Sequence, residues 1–152
     1  MLPPFDYFDH VRICNSKQRQ REERIRNLPA LYRHDIDESD RSLLGMPLAK
    51  LVQDIRSGHV DPVEVLHCYG RVALRAHKNT NCLTEIMLKE AEQWIKDNSV
   101  DLQGPLAGVP ISLKDTISVA GFDTSVGYSV NCERPELVDG TLVKILKAAG
   151  SS

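Results

Sequence analysis

The sequence predicts an α/β fold, in which helices precede and follow single short strands. Helix-start signals at Pro47 and at Asp61-Pro62 each precede an amphipathic stretch. The apolar run from Val109 to Leu113 is typical of a buried strand. The chain has 152 residues, the size of one domain, and such a domain buries about 68–70% of its unfolded surface.

Residues 1–41 are predicted to form a helical arm and an acidic linker. Residues 1–14 show no clear periodicity, whereas Ser16–Arg26 is rich in charged helix formers, with Ser16 as the cap. Asn27-Leu28-Pro29 ends this helix. Its charge fits either a basic nucleic-acid surface or a solvated helix face, and the lack of interleaved aromatic residues favours the solvated face. The acidic linker His34–Asp40 lacks the Gly and Glu of an EF-hand loop, so we expect no calcium site.

Two further helices are expected in the middle of the chain. One begins after Pro47 and stops near Gly58. The next is capped by Asp61, with Pro62 at its first position and Glu64 at its third. It carries His67 and His77, which are ten positions apart and therefore are not an i,i+4 metal pair. We interpret both imidazoles as packed or surface groups.

The remaining elements alternate between predicted strands and helices. Strands are expected at Cys82–Met87 and Val109–Leu113, and strand with turn at Asp115–Val130. Helices are expected at Lys89–Asp97 and Leu137–Ala149. This alternation is the basis of the predicted α/β fold.

Composition excludes several classes of protein. The net charge of −2, with 41% hydrophobic and 26% charged residues, is ordinary for a globular protein and does not indicate a nucleic-acid partner. None of the four cysteines lies in a C-x-x-C pair. Met1–Asp6 lacks a signal-peptide pattern, and no apolar run approaches the ~18 residues of a membrane span. We therefore expect a cytoplasmic protein with reduced thiols and no membrane span.

Lys114 is the candidate catalytic residue. It closes the apolar run Val109–Leu113, and lysine is almost never buried without a partner. Burial disfavours the ammonium form, so a buried lysine could act as a neutral amine base. The alternative is a lysine at a strand end with its ammonium group in water.

The segment Leu106–Asp115 resembles the first conserved block of the amidase signature family, and the likeness covers roughly residues 42–150. The N-terminal arm and the overall character of the sequence resemble those of fungal acetamidase-type members. Further segments that resemble the family are Leu51–Gly58, Val63–Leu66, Thr116–Gly121, Thr124–Tyr128 and Asp139–Gly150.

The resemblance implies the N-terminal helices and first strands of an amidase-signature mixed sheet, incomplete in this chain. Family members hydrolyse amides with a Ser–cis-Ser–Lys triad, and the family lysine matches Lys114. Residues 42–152 would then be the N-terminal part of the domain, truncated before the serine motif. Ser151 and Ser152 directly follow the last helix with no glycine after them, so we do not assign them as the catalytic serines. Ser112 matches neither serine.

The expected function is that of the N-terminal portion of an acetamidase-like amidase, which converts a carboxylic acid amide to an acid and ammonia or an amine. We expect this chain to be inactive alone. The alternatives are a non-catalytic α/β fragment that binds a partner, and an unrelated α/β domain. No cofactor or metal is expected. The expected partners are a small-molecule amide substrate and, in the full-length protein, a second copy in a homodimer.

Overall fold

The computed structural model describes residues 4–152, with side chains described from Tyr7 onward. The sequence-based prediction that Met1–Asp6 lacks a signal-peptide pattern therefore falls partly, at Met1–Pro3, outside the described residues. Two short 3-10 turns, Ala30–Arg33 and Ser129–Asn131, accompany the α-helices. The α-helices are α1 (Pro4–Arg26), α2 (Glu38–Leu44), α3 (Leu48–Arg56), α4 (Pro62–Thr80), α5 (Leu88–Lys96) and α6 (Thr141–Ala148).

The predicted mixed sheet is wrong for the described part of the chain. Residues 4–152 contain no β-strand, and the one isolated bridge pairs Ala120 with Glu136 in parallel. Neither Cys82–Met87 nor Val109–Leu113 forms a strand. An apolar run predicts burial, but a strand also requires a neighbouring backbone that pairs with it over several residues.

Val109–Ile111 does make backbone pairings, but they are too few to form a strand. The Ser152 N–H donates to the Val109 carbonyl at 3.2 Å, and the Ile111 N–H donates to the Ser152 carbonyl at 3.1 Å. This is the hydrogen-bond pattern of a parallel pair. The prediction of a buried strand at Val109–Leu113 is therefore wrong, and Ile111 and Ser112 within it are exposed.

The chain divides into two compact units, and the larger one is built around α2 to α5. Unit 2 comprises residues 28–83, 87–112 and 145–152. Its first core cluster is formed by Leu51, Val52, Ile55, Val65 and Ala107. Its second core cluster is formed by Leu66, Ala91, Ile95 and Val100. Both clusters include residues of α4, which packs against α2, α5 and the turn Ala30–Arg33.

The helix signals in this unit are confirmed. Helix α4 begins at Pro62, and the Asp61 side chain accepts a hydrogen bond from the Val63 N–H at 2.8 Å. Helix α3 ends at Arg56, and Gly58 follows with a φ of 75°, in the left-handed region that favours glycine.

The acidic linker ends in a structured cap that sequence reasoning missed. Asp37 caps α2, and its side chain accepts from the Asp40 N–H at 2.9 Å, while the Asp40 carboxylate accepts from the Asp37 N–H. Asp40 is buried and forms an ion pair with Arg71 of α4. Hydrogen bonding from Arg71 lowers the pKa of Asp40. Asp37 and Asp40 therefore have structural partners.

Of the described residues, unit 1 comprises 4–27, 84–86 and 113–144, with α1 as its longest element. Buried apolar side chains come from Ile86, Val119, Phe122 and Val143. Helix α1 starts at Pro4, so the predicted start at Ser16 is wrong, whereas the predicted end near Asn27 is confirmed. Ser16 lies inside the helix, because residues 4–15, which showed no clear periodicity, are helical as well.

The basic face of α1 is not simply solvated. Lys17 is only 15% exposed and forms ion pairs with Glu85 and Asp123. Arg24 lies 3.4 Å from Glu85 and stacks over the Phe122 ring at 4.4 Å. Burial alone would raise the pKa of Asp123, but hydrogen bonds from Lys17 and two backbone N–H groups lower it. The interpretation of this face as solvated therefore fails at Lys17 and Arg24.

Helix α6 begins four residues later than predicted, at Thr141. No helix in the described range 4–152 is both long enough and apolar enough to cross a membrane.

Candidate active site

The segment 104–108, which contains two glycines and precedes Lys114 in the sequence, packs its backbone against the residues that follow α6. The Leu106 N–H donates to the Ala149 carbonyl, and the Gly108 N–H donates to the Gly150 carbonyl, each at 2.7 Å. A Cβ built on Gly104 would lie 2.3 Å from the Ala149 oxygen. Only glycine therefore fits at residue 104 without a backbone shift.

Lys114 itself is exposed, so of the two interpretations that the sequence allowed, the one in which its side chain reaches water agrees with the structure. Its carbonyl accepts a hydrogen bond from the Ile117 N–H at 3.0 Å, which closes a turn directly after the extended segment. The amine therefore meets solvent from a backbone that is fixed by this turn.

Asp115, the next residue, has a carboxylate that binds a neighbouring loop. Its Oδ1 accepts from the Ser125 N–H at 3.3 Å, and its Oδ2 accepts from the Val126 N–H at 3.0 Å and from the Ser125 hydroxyl. This aspartate is the last residue of Leu106–Asp115, the segment that resembles the amidase signature, but the sequence alone predicted no role for it. Its position directly after Lys114 was the one signal available.

The loop bound by Asp115 contains an unusual turn. The Tyr128 N–H donates to the Ser125 carbonyl at 2.8 Å, and the two central residues, Val126 and Gly127, have φ values of 51° and 78°. Positive φ at both central residues is the requirement of a type I′ turn, which favours Asn, Asp and Gly. A valine in this position is a conformational outlier.

The serines that sequence reasoning considered are in different surroundings. The buried Ser151 donates its hydroxyl to the Val109 carbonyl at 3.0 Å, so this hydroxyl is used in packing. Ser152 has a buried Oγ with no hydrogen-bond partner. Ser112 is exposed. Within the described residues, the Ser151 hydroxyl therefore binds a backbone carbonyl and the Ser152 hydroxyl binds no base.

The two histidines of α4 have structural partners, as interpreted from their spacing. His67 Nε2 lies 3.3 Å from Glu92 Oε2, and its ring meets the buried Tyr32 ring edge-on. The His77 Nδ1 accepts from the Leu83 N–H at 3.1 Å. Among residues 4–152, no group of three or more His, Cys, Asp or Glu side chains is arranged to hold a metal ion.

An open depression of about 570 Å³ lies in unit 2. It is lined by Asn98, Ser99, Val100, Asp101, Leu102, Gln103, Lys147 and Ala148. The Lys147 amine stacks over the Trp94 ring at 3.8 Å. Of its lining residues, Ser99 donates its hydroxyl to the Asp97 carboxylate.

Comparison with known proteins identifies the class to which this fold and lysine segment belong. The sequence profile of the Amidase family matches residues 64–152. Fatty-acid amide hydrolase 1 of Sus scrofa is 36% identical over 115 residues, which are 76% of this chain and 19% of that protein. Amidase 1 of Gibberella moniliformis is 31% identical over 134 residues, 84% of this chain and 26% of that protein. The chain belongs to the amidase family.

The structure agrees with this assignment. A solved fatty acid amide hydrolase superposes with a TM-score of 0.63 at 25% identity, over 76% of this chain and 21% of that one. The chain spans between about a fifth and about a quarter of the length of the relatives described above. The resemblance of Leu106–Asp115 to the amidase signature is thus confirmed at the level of the family.

Proposed function

We propose that the protein that carries this sequence hydrolyses carboxylic acid amides to an acid and ammonia or an amine, with Lys114 as its base. The observation that carries the proposal is the position of Lys114, at the end of the block by which the chain resembles amidases. Its exposed amine supports access by a proton donor, and the turn to Ile117 supports a defined origin for the side chain.

The proposed chemistry is that of a Ser–cis-Ser–Lys triad. A neutral lysine amine accepts a proton from a bridging serine hydroxyl, which takes one from the nucleophilic serine as that serine attacks the amide carbonyl. Backbone N–H donors stabilise the resulting oxyanion. The proton returns to the leaving amine, and water then releases the acid from the acyl-serine. We assign neither serine to a residue of this chain.

The first prediction concerns Lys114→Ala in the protein that carries this sequence. Loss of a general base lowers the rate by about 10²–10⁴-fold, so ammonia release from an amide should fall by that factor. Lys89→Ala is the matched control, because Lys89 is an exposed lysine on α5. We expect the control to retain the original rate. Turnover that survives Lys114→Ala would remove Lys114 from the mechanism.

The same assay addresses the substrate and the isolated chain. The resemblance of the sequence to acetamidases supports a substrate with a short acyl group, whereas the name of the Sus scrofa relative, fatty-acid amide hydrolase 1, supports a fatty-acid amide as substrate. A comparison of kcat/KM for acetamide and a long-chain primary amide separates these two classes. We expect residues 1–152 alone to release no ammonia, since neither catalytic serine is assigned within them.

A further inference from the structure

The type I′ turn Ser125–Tyr128 is held in a conformation that its sequence does not favour. Val126 is β-branched and has a φ of 51°, in the left-handed region. Such conformations persist only where the surroundings hold them, and they cluster at functional sites. The question is therefore what holds this turn in unit 1, and for what purpose.

The Asp115 carboxylate holds it through both of its oxygens. It accepts from the N–H groups of Ser125 and Val126 and from the Ser125 hydroxyl. The hydroxyl also accepts from the Gly127 N–H at 3.3 Å, and Asn131 Nδ2 donates to the Ser125 carbonyl at 3.2 Å. The turn is thus held by Asp115, by Asn131 and by the hydrogen bond between its own residues Ser125 and Gly127.

The same bonds fix the backbone from which the Lys114 side chain emerges. Asp115 shares a peptide bond with Lys114, and the Lys114 carbonyl is bound by the Ile117 N–H at 3.0 Å. Lys114 is exposed, so little packing surrounds its side chain. The bound backbone therefore fixes the Cα and Cβ positions from which the flexible side chain extends.

We propose that Asp115 is a positioning residue for Lys114. It binds the strained turn Ser125–Tyr128 and so holds the adjacent backbone of Lys114 in place. The proposal rests on the proposed function of Lys114 as a base. A displacement of about 1 Å at a reacting group can lower a rate by about 10²-fold, so an anchor of this kind affects catalysis without contact with the substrate.

The test is Asp115→Asn in the protein that carries this sequence. Asparagine keeps the size of the side chain but replaces one accepting oxygen by an NH₂ group, which cannot accept from Val126 or Ser125. We expect kcat per folded molecule to fall by about 10- to 100-fold with KM little changed. Ser125→Ala should lower kcat less, and the double variant should be no slower than Asp115→Asn alone, because both changes break the same anchor.

Asp139→Asn is the matched control. Asp139 belongs to the same unit and its carboxylate accepts from the Ala120 N–H at 2.9 Å, so it binds backbone at another place. We expect Asp139→Asn to lower the melting temperature and to leave kcat per folded molecule unchanged. Circular dichroism below the melting temperature reports the folded fraction for every variant.

The outcomes separate this proposal from the proposed function. If Lys114→Ala is inactive and Asp115→Asn keeps its kcat, the positioning role is overturned and the base assignment stands. If Lys114→Ala keeps its activity, the proposed function fails first. If Asp115→Asn does not fold, Ser125→Ala decides, and an unchanged kcat in that variant overturns the positioning role.

Discussion

Val126 is the residue whose conformation agrees least with its side chain. A left-handed conformation costs an L-residue with a Cβ roughly 1–2 kcal/mol, and glycine avoids this penalty. The structure keeps Val126 there because its N–H is bound to Asp115. The local preference of the chain is thus overridden by the hydrogen bonds that the turn makes with Asp115 and Asn131 and within itself.

Val126→Gly should therefore stabilise the fold. The gain is expected to be up to about 1 kcal/mol, since glycine also loses about 0.5–1 kcal/mol of chain entropy on folding. Urea unfolding measures the change. Asn98→Gly is the control, because Asn98 has a similar φ of 58° but is a residue that tolerates this region. A larger gain at Asn98 than at Val126 would argue against strain at the turn.

At the scale of elements, the contact between the segment 104–108 and the residues that follow α6 depends on glycine. Gly104→Ala would bring a Cβ within 2.3 Å of the Ala149 oxygen, which is backbone and cannot rotate away. Overpacking of this kind lowers stability by about 1–3 kcal/mol. We expect a loss at the upper end of that range, measured by urea unfolding.

Gly58→Ala is the matched control for this prediction. Gly58 has a φ of 75°, but a Cβ there would meet no atom within 4 Å. Its substitution should therefore carry only the backbone strain of roughly 1–2 kcal/mol. Equal or greater destabilisation at Gly58 than at Gly104 would show that the backbone contact is unimportant.

Elements that depend on neighbouring residues were predictable, and those that depend on distant ones were not. The start of α4 follows from Asp61 and Pro62, which act within one turn of helix. The predicted strand Val109–Leu113 required a partner backbone, and the chain provides only the pairing with Ser152. The family was predictable from the resemblance of Leu106–Asp115, whereas the exposure of Lys114 and the hydrogen bonds of Asp115 depend on the folded structure.

At the scale of the whole molecule, each unit contains a buried carboxylate paired with a cation. Asp40 pairs with Arg71 in unit 2, and Asp123 pairs with Lys17 in unit 1. The pKa values of both carboxylates are lowered, Asp40 chiefly by Arg71 and Asp123 by hydrogen bonds that outweigh its burial. A lowered pKa stabilises the folded state above the ordinary value of 3.8 and loses that contribution as the pH falls.

Stability should consequently be lost on the acid side, as the pH falls below about 4. Urea midpoints measured from about pH 7 to about pH 2 test this expectation. Asp40→Asn should lower stability at neutral pH and flatten the acid dependence. Asp35→Asn, at an exposed residue of the acidic linker, should change neither. A midpoint that stays constant through the acid range would contradict the pairing of these carboxylates.

The contact of Gly104 with Ala149 also changes how relatives of this chain can be classified. That glycine is required by the shape of the backbone, and the requirement persists whether or not an enzyme turns over substrate. The exposed side chain of Lys114 meets no such requirement. A related chain that keeps the glycine but replaces the lysine would share the architecture without the proposed base, and such a chain is where non-hydrolytic members of the family should be sought.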